Sequence, residues 1–339
     1  MRMQLPPLDQ LLASMRVVAL PLKTSFRGVA HREYVVIEGP QGWGEFGPFH
    51  DHTLEHSANW LRAAIEAAYQ GFPASVRDDV AVNAIVPELH TRDVDAWVRD
   101  AYNAYGVTTF KVKCGSQDFR DDVNRVDEIR YVLDHLGIAE WSVRIDVNGR
   151  WSVDQAIERI KELNDVAAGR IEYVEQPVQS LADCATVRNK VDVKIAVDEG
   201  IRLAAEGQLS LDAIREAADV AIVKAIPLGG VANALDVVTA LNLPTVVSGS
   251  MDSSVGLASG LALAGCVPTL LGACGFGTGQ LLAEDLVTHT LLPIGGRMRI
   301  SAPTPDAELL ERAAARVDSA TENYWRARVT ACYDVLEEE

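Results

Sequence analysis

Apolar residues divide the chain into two regions with different patterns. Up to about residue 75, apolar segments such as MRVVALPLK and REYVVIEG are separated by glycine and proline, which predicts strands joined by turns. Residues 53–70 carry apolar side chains at helical spacing, and Gly71 is expected to end that helix. The first region therefore predicts a small α+β unit, which we place at residues 1–78.

From about residue 80, short apolar runs alternate with helical segments. The runs lie near 80–86, 109–113, 142–147, 171–175, 193–197, 220–224, 244–248 and 268–273. The predicted helices include 94–105, 120–136, 153–165, 182–189, 211–217 and 231–241. This rhythm predicts a βα barrel over residues 79–290. A doubly wound sheet is the alternative, but the G-x-G-x-x-G typical of that fold is missing after the first strand. Residues 291–339 should end in a charged helix and pack back on the N-terminal unit.

Composition and charge exclude several classes of partner. The 339 residues are 48% hydrophobic and 23% charged, as expected of a globular core. A net charge of −17 argues against nucleic acid, which is bound through Lys and Arg, although a small anionic substrate remains compatible with it. The most apolar window, 255–271, is interrupted by Pro268 and predicts a helix leading to a buried strand. A membrane partner is therefore not expected.

The cysteines and the N-terminal residues indicate in which cellular compartment the protein is expected. Five cysteines, an odd number without zinc-site spacing, indicate a reducing, cytoplasmic environment. The first 20 residues contain prolines and an aspartate where a signal peptide needs a continuous apolar stretch. The pattern does not indicate an oligomeric state.

Three acids close consecutive apolar runs of the predicted barrel: Asp146, Glu175 and Asp198. The C-terminal ends of barrel strands converge on one mouth, where the chemistry of such enzymes takes place. Carboxylates held together there repel one another unless a hard cation lies between them, and Mg²⁺ prefers oxygen ligands. Capping of the following helices is the alternative for each acid alone. The three in register predict a magnesium site.

Two lysines close further runs, Lys113 on the second predicted strand and Lys224 on the sixth. They should face each other across the mouth as catalytic groups, although a solvated strand-end lysine is the alternative for Lys224. Strand alternation places Lys111 on the same face as Lys113, and its ammonium would favour loss of a proton from its neighbour. Lysines flanking a metal predict an enzyme that makes and quenches an enolate of a small carboxylate.

These motifs resemble the enolase superfamily, in its muconate-lactonizing subgroup. The resemblance rests on K-x-K at 111–113, on RIDVN, VEQP and VDEG, and on AIVKAI, and it covers nearly the whole chain. It implies a modified (β/α)8-type barrel, of (β/α)7β form, with a capping domain built from both terminal segments. It also implies Mg²⁺ at the three acids and Lys113 and Lys224 on opposite faces of the substrate.

Within that subgroup the chain is most similar to the o-succinylbenzoate synthase family, through Arg144 two residues before Asp146 and through the segment VVSGSMDSSVGLASG. The implied reaction is syn-dehydration of 2-succinyl-6-hydroxy-2,4-cyclohexadiene-1-carboxylate through an enediolate, in menaquinone biosynthesis. An N-succinylamino acid racemase or dipeptide epimerase fits the same lysines, although the D-x-D pair typical of epimerases is missing near strand eight. A cycloisomerase and a catalytically inactive scaffold are further alternatives.

The remaining site predictions concern substrate contacts. They are Lys111, Arg144, Asn148, Gly229, Gly230, Ser250, Met251 and Arg27. The amides of the two glycines could approach the succinyl carboxylate, or the glycines could simply end a strand. Arg27 lies in a loop that could close over the substrate, or it could be solvated. The histidines do not fall at strand ends, so a His–Asp base is not expected, and Cys114 should point into the core.

Overall fold

A computed structural model describes residues 3–26, 29–205 and 208–339 of the chain. In this part of the chain the strands are β1 (Met15–Phe26), β2 (Val29–Gly39), β3 (Gly42–Phe46), β4 (Asp79–Ala81), β5 (Ala84–Val86), β6 (Thr109–Lys113), β7 (Ser142–Asp146), β8 (Ile171–Glu175), β9 (Ile195–Val197), β10 (Val220–Val223), β11 (Thr245–Val247) and β12 (Arg297–Arg299). The helices are α1 (Leu8–Ser14), α2 (Leu54–Ile65), α3 (Thr91–Tyr105), α4 (Phe119–His135), α5 (Val153–Val166), α6 (Leu181–Arg188), α7 (Glu199–Ala205), α8 (Leu211–Ala217), α9 (Val231–Leu241), α10 (Ser254–Cys266), α11 (Ala307–Ala314) and α12 (Ser319–Glu338).

The two terminal segments build one capping domain. Strands β1, β2 and β3 form an antiparallel sheet in which Met15 pairs with Ile37 and Val35 with Phe46. The helices α2 and α12 cover it, and the buried Trp325 of α12 packs edge-on against Phe46. Apolar side chains from both ends of the chain therefore share one core, which neither segment could form alone.

The barrel is a parallel sheet in the order β5-β6-β7-β8-β9-β10-β11, with helices on its outer side. The segment 270–275 closes the ring: the amide of Leu271 donates to the carbonyl of Thr245, and the amide of Asn83 donates to the carbonyl of Cys274. No helix follows this eighth segment before the short 3₁₀ turn Gly277–Leu281. The predicted (β/α)7β barrel with an α+β capping domain is confirmed.

The runs are almost continuously apolar because each parallel strand is buried on both faces. Side chains such as Phe110 and Val112 face the outer helices, whereas Lys111 and Arg144 point into the barrel. Helix α10 is buried along almost its whole length and consists mainly of Gly, Ala, Ser and Leu. It begins the window predicted as a helix before a buried strand, and no helix among the described residues is long and apolar enough to cross a membrane.

The structure divides the chain slightly differently from the predicted boundaries. The apolar run at 80–86 is two strands, of which β4 pairs in antiparallel fashion with β12 and only β5 enters the barrel sheet. Met298 of β12 belongs to the barrel core, so the chain still packs with the barrel at this strand, and the boundary at residue 291 stays a prediction. The five cysteines are free thiols, and Cys114 is buried as predicted.

Candidate active site

The five residues singled out by the sequence lie along one end of the barrel. Lys113, Asp146 and Glu175 are direct cross-strand neighbours at the last positions of β6, β7 and β8. Asp198 and Lys224 come immediately after β9 and β10. The register of parallel strands therefore brings two lysines and three acids to the same mouth.

Lysine ammonium groups bridge the acids. The Nζ atom of Lys113 lies 2.6 Å from Oδ2 of Asp146. The Nζ atom of Lys111 lies 2.9 Å from the same oxygen and 2.7 Å from Oε1 of Glu175. Both lysines are largely buried and both acids almost completely, so these contacts are only weakly screened by water.

Burial and charge act in opposite directions on this cluster. Burial alone would raise the pKa of Asp146, but Lys111 and Lys113 hold that pKa well below its ordinary value. Burial, together with the charge of Asp146, raises the pKa of Glu175 to about 7 despite its contact with Lys111. Burial lowers the pKa of Lys111, but Asp146 and Glu175 outweigh it, so the net direction is upward.

Lys224 forms an ion pair with Asp198 on the neighbouring strand end. Burial opposes its charge, but Asp198 overcomes this effect and raises the pKa of Lys224 above the ordinary value for lysine. Lys224 is therefore an ammonium at neutral pH. It can stabilise negative charge on a bound molecule without giving up its proton.

The acids offer a suitable donor set for Mg²⁺. Among the described residues, the buried Oε2 atom of Glu175 has no hydrogen-bond partner, which is costly unless a ligand binds there. Asp146, Glu175 and Asp198 supply only hard oxygen donors, as Mg²⁺ requires. Within the described residues, no three acidic, histidine or cysteine side chains converge closely enough to form a metal cluster, because lysines separate the acids. The residues fit the metal by donor type and by the unpaired oxygen.

A cavity of about 260 Å³ opens above these strand ends. Its lining combines the strand-end groups with a loop after β11 and with residues of the capping domain. Of the predicted site residues it contains Lys111, Lys113, Asp146, Asn148, Asp198, Lys224, Ser250 and Met251. These predicted residues are therefore brought together in one place, with Glu175 buried beside them.

Three residues at the mouth adopt left-handed backbone conformations that are uncommon outside glycine. They are Asn148 (φ 51°), Gln176 (φ 42°) and Met251 (φ 65°). Asn148 and Gln176 lie just after the acids of β7 and β8, and the Oδ1 atom of Asn148 accepts a hydrogen bond of 2.9 Å from Nζ of Lys113. Such conformations concentrate at functional sites, where the surrounding structure maintains them.

A buried ion pair fixes the chain after Lys113. Asp122 and Arg125 of α4 are 3.0 Å apart, and Arg125 donates a hydrogen bond of 3.0 Å to the carbonyl of Lys113. Asp122 also accepts hydrogen bonds from the amides of Gly115 and Ser116. These contacts restrict the backbone that carries the lysine.

Arg144 does not line the cavity, and its role in substrate binding stays a prediction. It points inward like Asp146, but from two residues deeper in the barrel, and its side chain is 0% exposed. It pairs with Glu172 at 2.6 Å and donates to Oδ1 of Asn83 and to the carbonyl of Ala273. Arg144 therefore joins β7 to β8 and to the segment that closes the barrel.

Gly229 and Gly230 do not present their amides to the cavity either. Both amides donate to backbone carbonyls in the turn after β10. The next two amides, at the start of α9, donate to the carboxylate of Glu66 from the capping domain, at 2.5 and 2.9 Å. These amides have hydrogen-bond partners in the turn and in Glu66, and a role of the two glycines in holding the substrate stays a prediction. Arg27 lies outside the described residues.

The sequence interpretation missed one wall of the cavity. Phe49, His52, His56 and Trp60 line it from the capping domain, and Arg202 lines it from α7. The histidines are not at strand ends, as predicted, but they reach the cavity from the opposite side. Only the spacing of His52, His56 and Trp60 on one face of a helical stretch could have suggested a shared surface.

Family models match both parts of the chain. Residues 17–68 match the model described as "Enolase N-terminal domain-like", and residues 93–305 match "Enolase C-terminal domain-like". An o-succinylbenzoate synthase of Mycolicibacterium smegmatis is 40% identical over 98% of this chain and 98% of its own length. The chain belongs to the o-succinylbenzoate synthase family of the enolase superfamily.

Solved structures share the fold of this o-succinylbenzoate synthase family member at lower identity. An N-succinyl Arg/Lys racemase from Bacillus cereus aligns with a TM-score of 0.72 and 18% identity, covering 88% of this chain and 96% of the racemase chain. The muconate lactonizing enzyme from Pseudomonas putida aligns with a TM-score of 0.69 and 19% identity, covering 88% and 98%. These similarities concern the barrel and capping architecture alone.

Proposed function

We propose that the protein is a magnesium-dependent o-succinylbenzoate synthase. The supporting observation is that Lys113 and Lys224 line one cavity together with Asp146 and Asp198, in a chain 40% identical over nearly its full length to o-succinylbenzoate synthases. The substrate would be 2-succinyl-6-hydroxy-2,4-cyclohexadiene-1-carboxylate, and the product would enter menaquinone biosynthesis.

In this proposal Asp146, Glu175 and Asp198 hold Mg²⁺. When bound, Mg²⁺ supplies Lewis-acid stabilisation of the negative charge that develops on the substrate carboxylate. The buried, unpaired Oε2 atom of Glu175 supports this assignment, since it is an acceptor without a donor. The charge of the acids also keeps Lys111 and Lys224 protonated within a buried site.

Lys113 carries the proton transfers. In its neutral form it removes the proton from the carbon next to the substrate carboxylate, and it then delivers that proton to the hydroxyl group leaving from the same face. The products are water and an aromatic ring, so the elimination is favoured by aromatisation. The contact of Lys113 with Asn148 and the Arg125 bond to its carbonyl hold the amine in place between the two transfers.

Lys224 acts from the other side of the cavity. Its pairing with Asp198 maintains Lys224 as an ammonium. This cation stabilises the enediolate electrostatically and takes no part in the proton transfers. Elimination requires only Lys113 to transfer the proton, with Lys224 as a neighbouring cation.

An N-succinylamino acid racemase is the second candidate. Two lysines lining one cavity are also what removal of a proton from one face and return to the other require. The similarity in fold to an N-succinyl Arg/Lys racemase makes this candidate worth testing directly.

One experiment separates these functions. The purified protein is incubated with Mg²⁺ and the cyclohexadiene substrate, and loss of substrate absorbance is followed together with formation of o-succinylbenzoate. Parallel samples contain N-succinylamino acids in D₂O, and exchange of the α-proton is followed by NMR. Rapid dehydration supports the synthase. Exchange without dehydration would replace it with the racemase.

A further inference from the structure

Among the described residues that line the cavity, Arg202 is a cation that lies outside the strand-end network. Lys111, Lys113 and Lys224 are all paired with the acids at the ends of the barrel strands. Arg202 lies on α7, about one turn beyond Asp198, and its half-buried side chain lines the same cavity. The three lysines are therefore paired with acids within the catalytic centre, whereas Arg202 lies at a different part of the cavity wall.

The surroundings of Arg202 are aromatic. His52 lies edge-on to His56 with ring centroids 4.2 Å apart, and Nε1 of Trp60 donates a hydrogen bond of 3.3 Å to Nε2 of His56. Phe49 packs on the other side of His52, with centroids 5.4 Å apart. These rings contact one another, so this wall offers an aromatic surface beside a cation.

Two arginines, Arg202 and Arg328, lie near His52. Burial is the main cause that lowers the pKa of His52 to about 4, and the nearby His56, Arg202 and Arg328 add to this effect, whereas Asp51 opposes it. His52 is therefore neutral at physiological pH and adds no charge of its own. Arg328 donates hydrogen bonds to the carbonyl of His52 and to Ser57 Oγ, and among the described residues of this wall it is Arg202 that lines the cavity with a cationic side chain.

We propose that Arg202 binds the second carboxylate of the substrate and so selects dicarboxylates over monocarboxylates. This inference rests on the proposed function, whose substrate carries one carboxylate on the ring and another at the end of the succinyl chain. The ring carboxylate belongs at the strand ends, where it takes part in the reaction. A guanidinium has five N–H donors, so Arg202 can keep a contact within the protein and still bind a carboxylate through two parallel hydrogen bonds.

Binding of two matched ligands tests this role. Calorimetry in the presence of Mg²⁺ compares o-succinylbenzoate with 2-butyrylbenzoate, in which a methyl group replaces the terminal carboxylate. Arg202→Gln should weaken o-succinylbenzoate binding by about 10- to 100-fold, the usual effect of losing a charged hydrogen bond, and should change 2-butyrylbenzoate binding by less than about twofold. Arg202→Lys should recover part of the loss, because it restores the charge but not the paired donors.

The matched control is Arg92→Gln, since Arg92 is exposed on α3 and should leave both affinities unchanged. Equal weakening of both ligands by Arg202→Gln, or no weakening of either, would overturn the subsite. If the wild-type protein dehydrates its substrate but Arg202→Gln gives either of these results, only the proposed subsite is rejected. If the wild-type protein does not dehydrate the substrate but binds the dicarboxylate through Arg202, the subsite is supported and the proposed function is rejected.

Discussion

The Nζ atom of Lys113 lies 2.6 Å from Oδ2 of Asp146, so the proposed base and a proposed metal ligand are direct partners. Their positions are opposite each other in the register of β6 and β7. The pairing stabilises the acid as a carboxylate and keeps the amine at the cavity. It also means that the metal site and the base are coupled, because any change at Asp146 acts on both.

Magnesium binding should stabilise the folded protein. With Mg²⁺ at about 100 times its dissociation constant, the free energy of unfolding should rise by about 2.7 kcal/mol, and the melting temperature should rise by several degrees. Thermal unfolding with Mg²⁺ and with EDTA measures this difference. Glu175→Gln keeps the shape of the side chain but removes its charge, and it should abolish most of the shift. An equal shift in wild type and variant would place the metal elsewhere.

Arg144 should matter for stability. Arg144→Met removes the partner of Glu172 and the donor to the carbonyl of Ala273. Because the side chain of Glu172 is 32% exposed, the expected cost is that of an unsatisfied buried acceptor, about 1–3 kcal/mol. Urea unfolding measures the loss. Arg92→Met is the control on an exposed helix surface and should change stability by less than about 0.5 kcal/mol. If the two variants were equally stable, Arg144 would not hold the barrel closed.

The contrast between Arg144 and Asp146 shows what the sequence could predict. Consecutive strand ends carrying acids were sufficient to place Asp146, Glu175 and Asp198 at one mouth, because parallel strands share their register. Strand alternation gave the inward direction of Arg144 correctly, but not its depth, and two residues are enough to move a side chain from the cavity into the barrel interior. The barrel could be predicted because short apolar runs and helical segments alternate along the chain, and this pattern depends only on neighbouring residues.

The capping wall could not be predicted in the same way. Its position over the barrel depends on contacts between elements far apart in sequence, such as Glu66 with the start of α9 and Arg328 with the carbonyl of His52. Similarly, the sequence suggested that the amides of Gly229 and Gly230 were available to a ligand. In the structure these amides donate to backbone carbonyls of their own turn, and the next two amides donate to Glu66.

The contact of Glu66 with α9 should attach the capping domain to the barrel. Glu66→Ala removes the acceptor of two backbone amides at a helix start, and it should lower the free energy of unfolding by about 1–3 kcal/mol. Limited proteolysis should also cleave the variant faster within the capping domain. Unchanged stability together with unchanged proteolysis would show that other contacts suffice to hold the two domains together.

A second contact between the domains should make stability depend on pH. Glu45 of β3 is buried near Asp252 and accepts hydrogen bonds from Ser253, and burial, followed by the charge of Asp252, raises its pKa to about 8. A raised pKa in the folded protein gives stability that is complete below the unfolded value, near 4.5, and declines as pH rises towards 8. Each pH unit in this window corresponds to about 1.4 kcal/mol at most.

Glu45→Gln isolates this contribution, because glutamine keeps the size of the side chain and cannot ionise. Urea unfolding at pH 5, 7 and 9 should show a steeper decline for the wild type than for the variant. Parallel declines would mean that Glu45 does not titrate in this window.

The central claim is that Lys113 is the base of a dehydration, and the initial rate of substrate loss by Lys113→Ala tests it most directly. The rate is measured with saturating Mg²⁺ and the cyclohexadiene substrate, beside wild type and with thermal unfolding to confirm that the variant is folded. We expect a folded variant whose rate is lower by about 10²–10⁴-fold, as removal of a general base requires. A folded variant within about tenfold of the wild-type rate would contradict it.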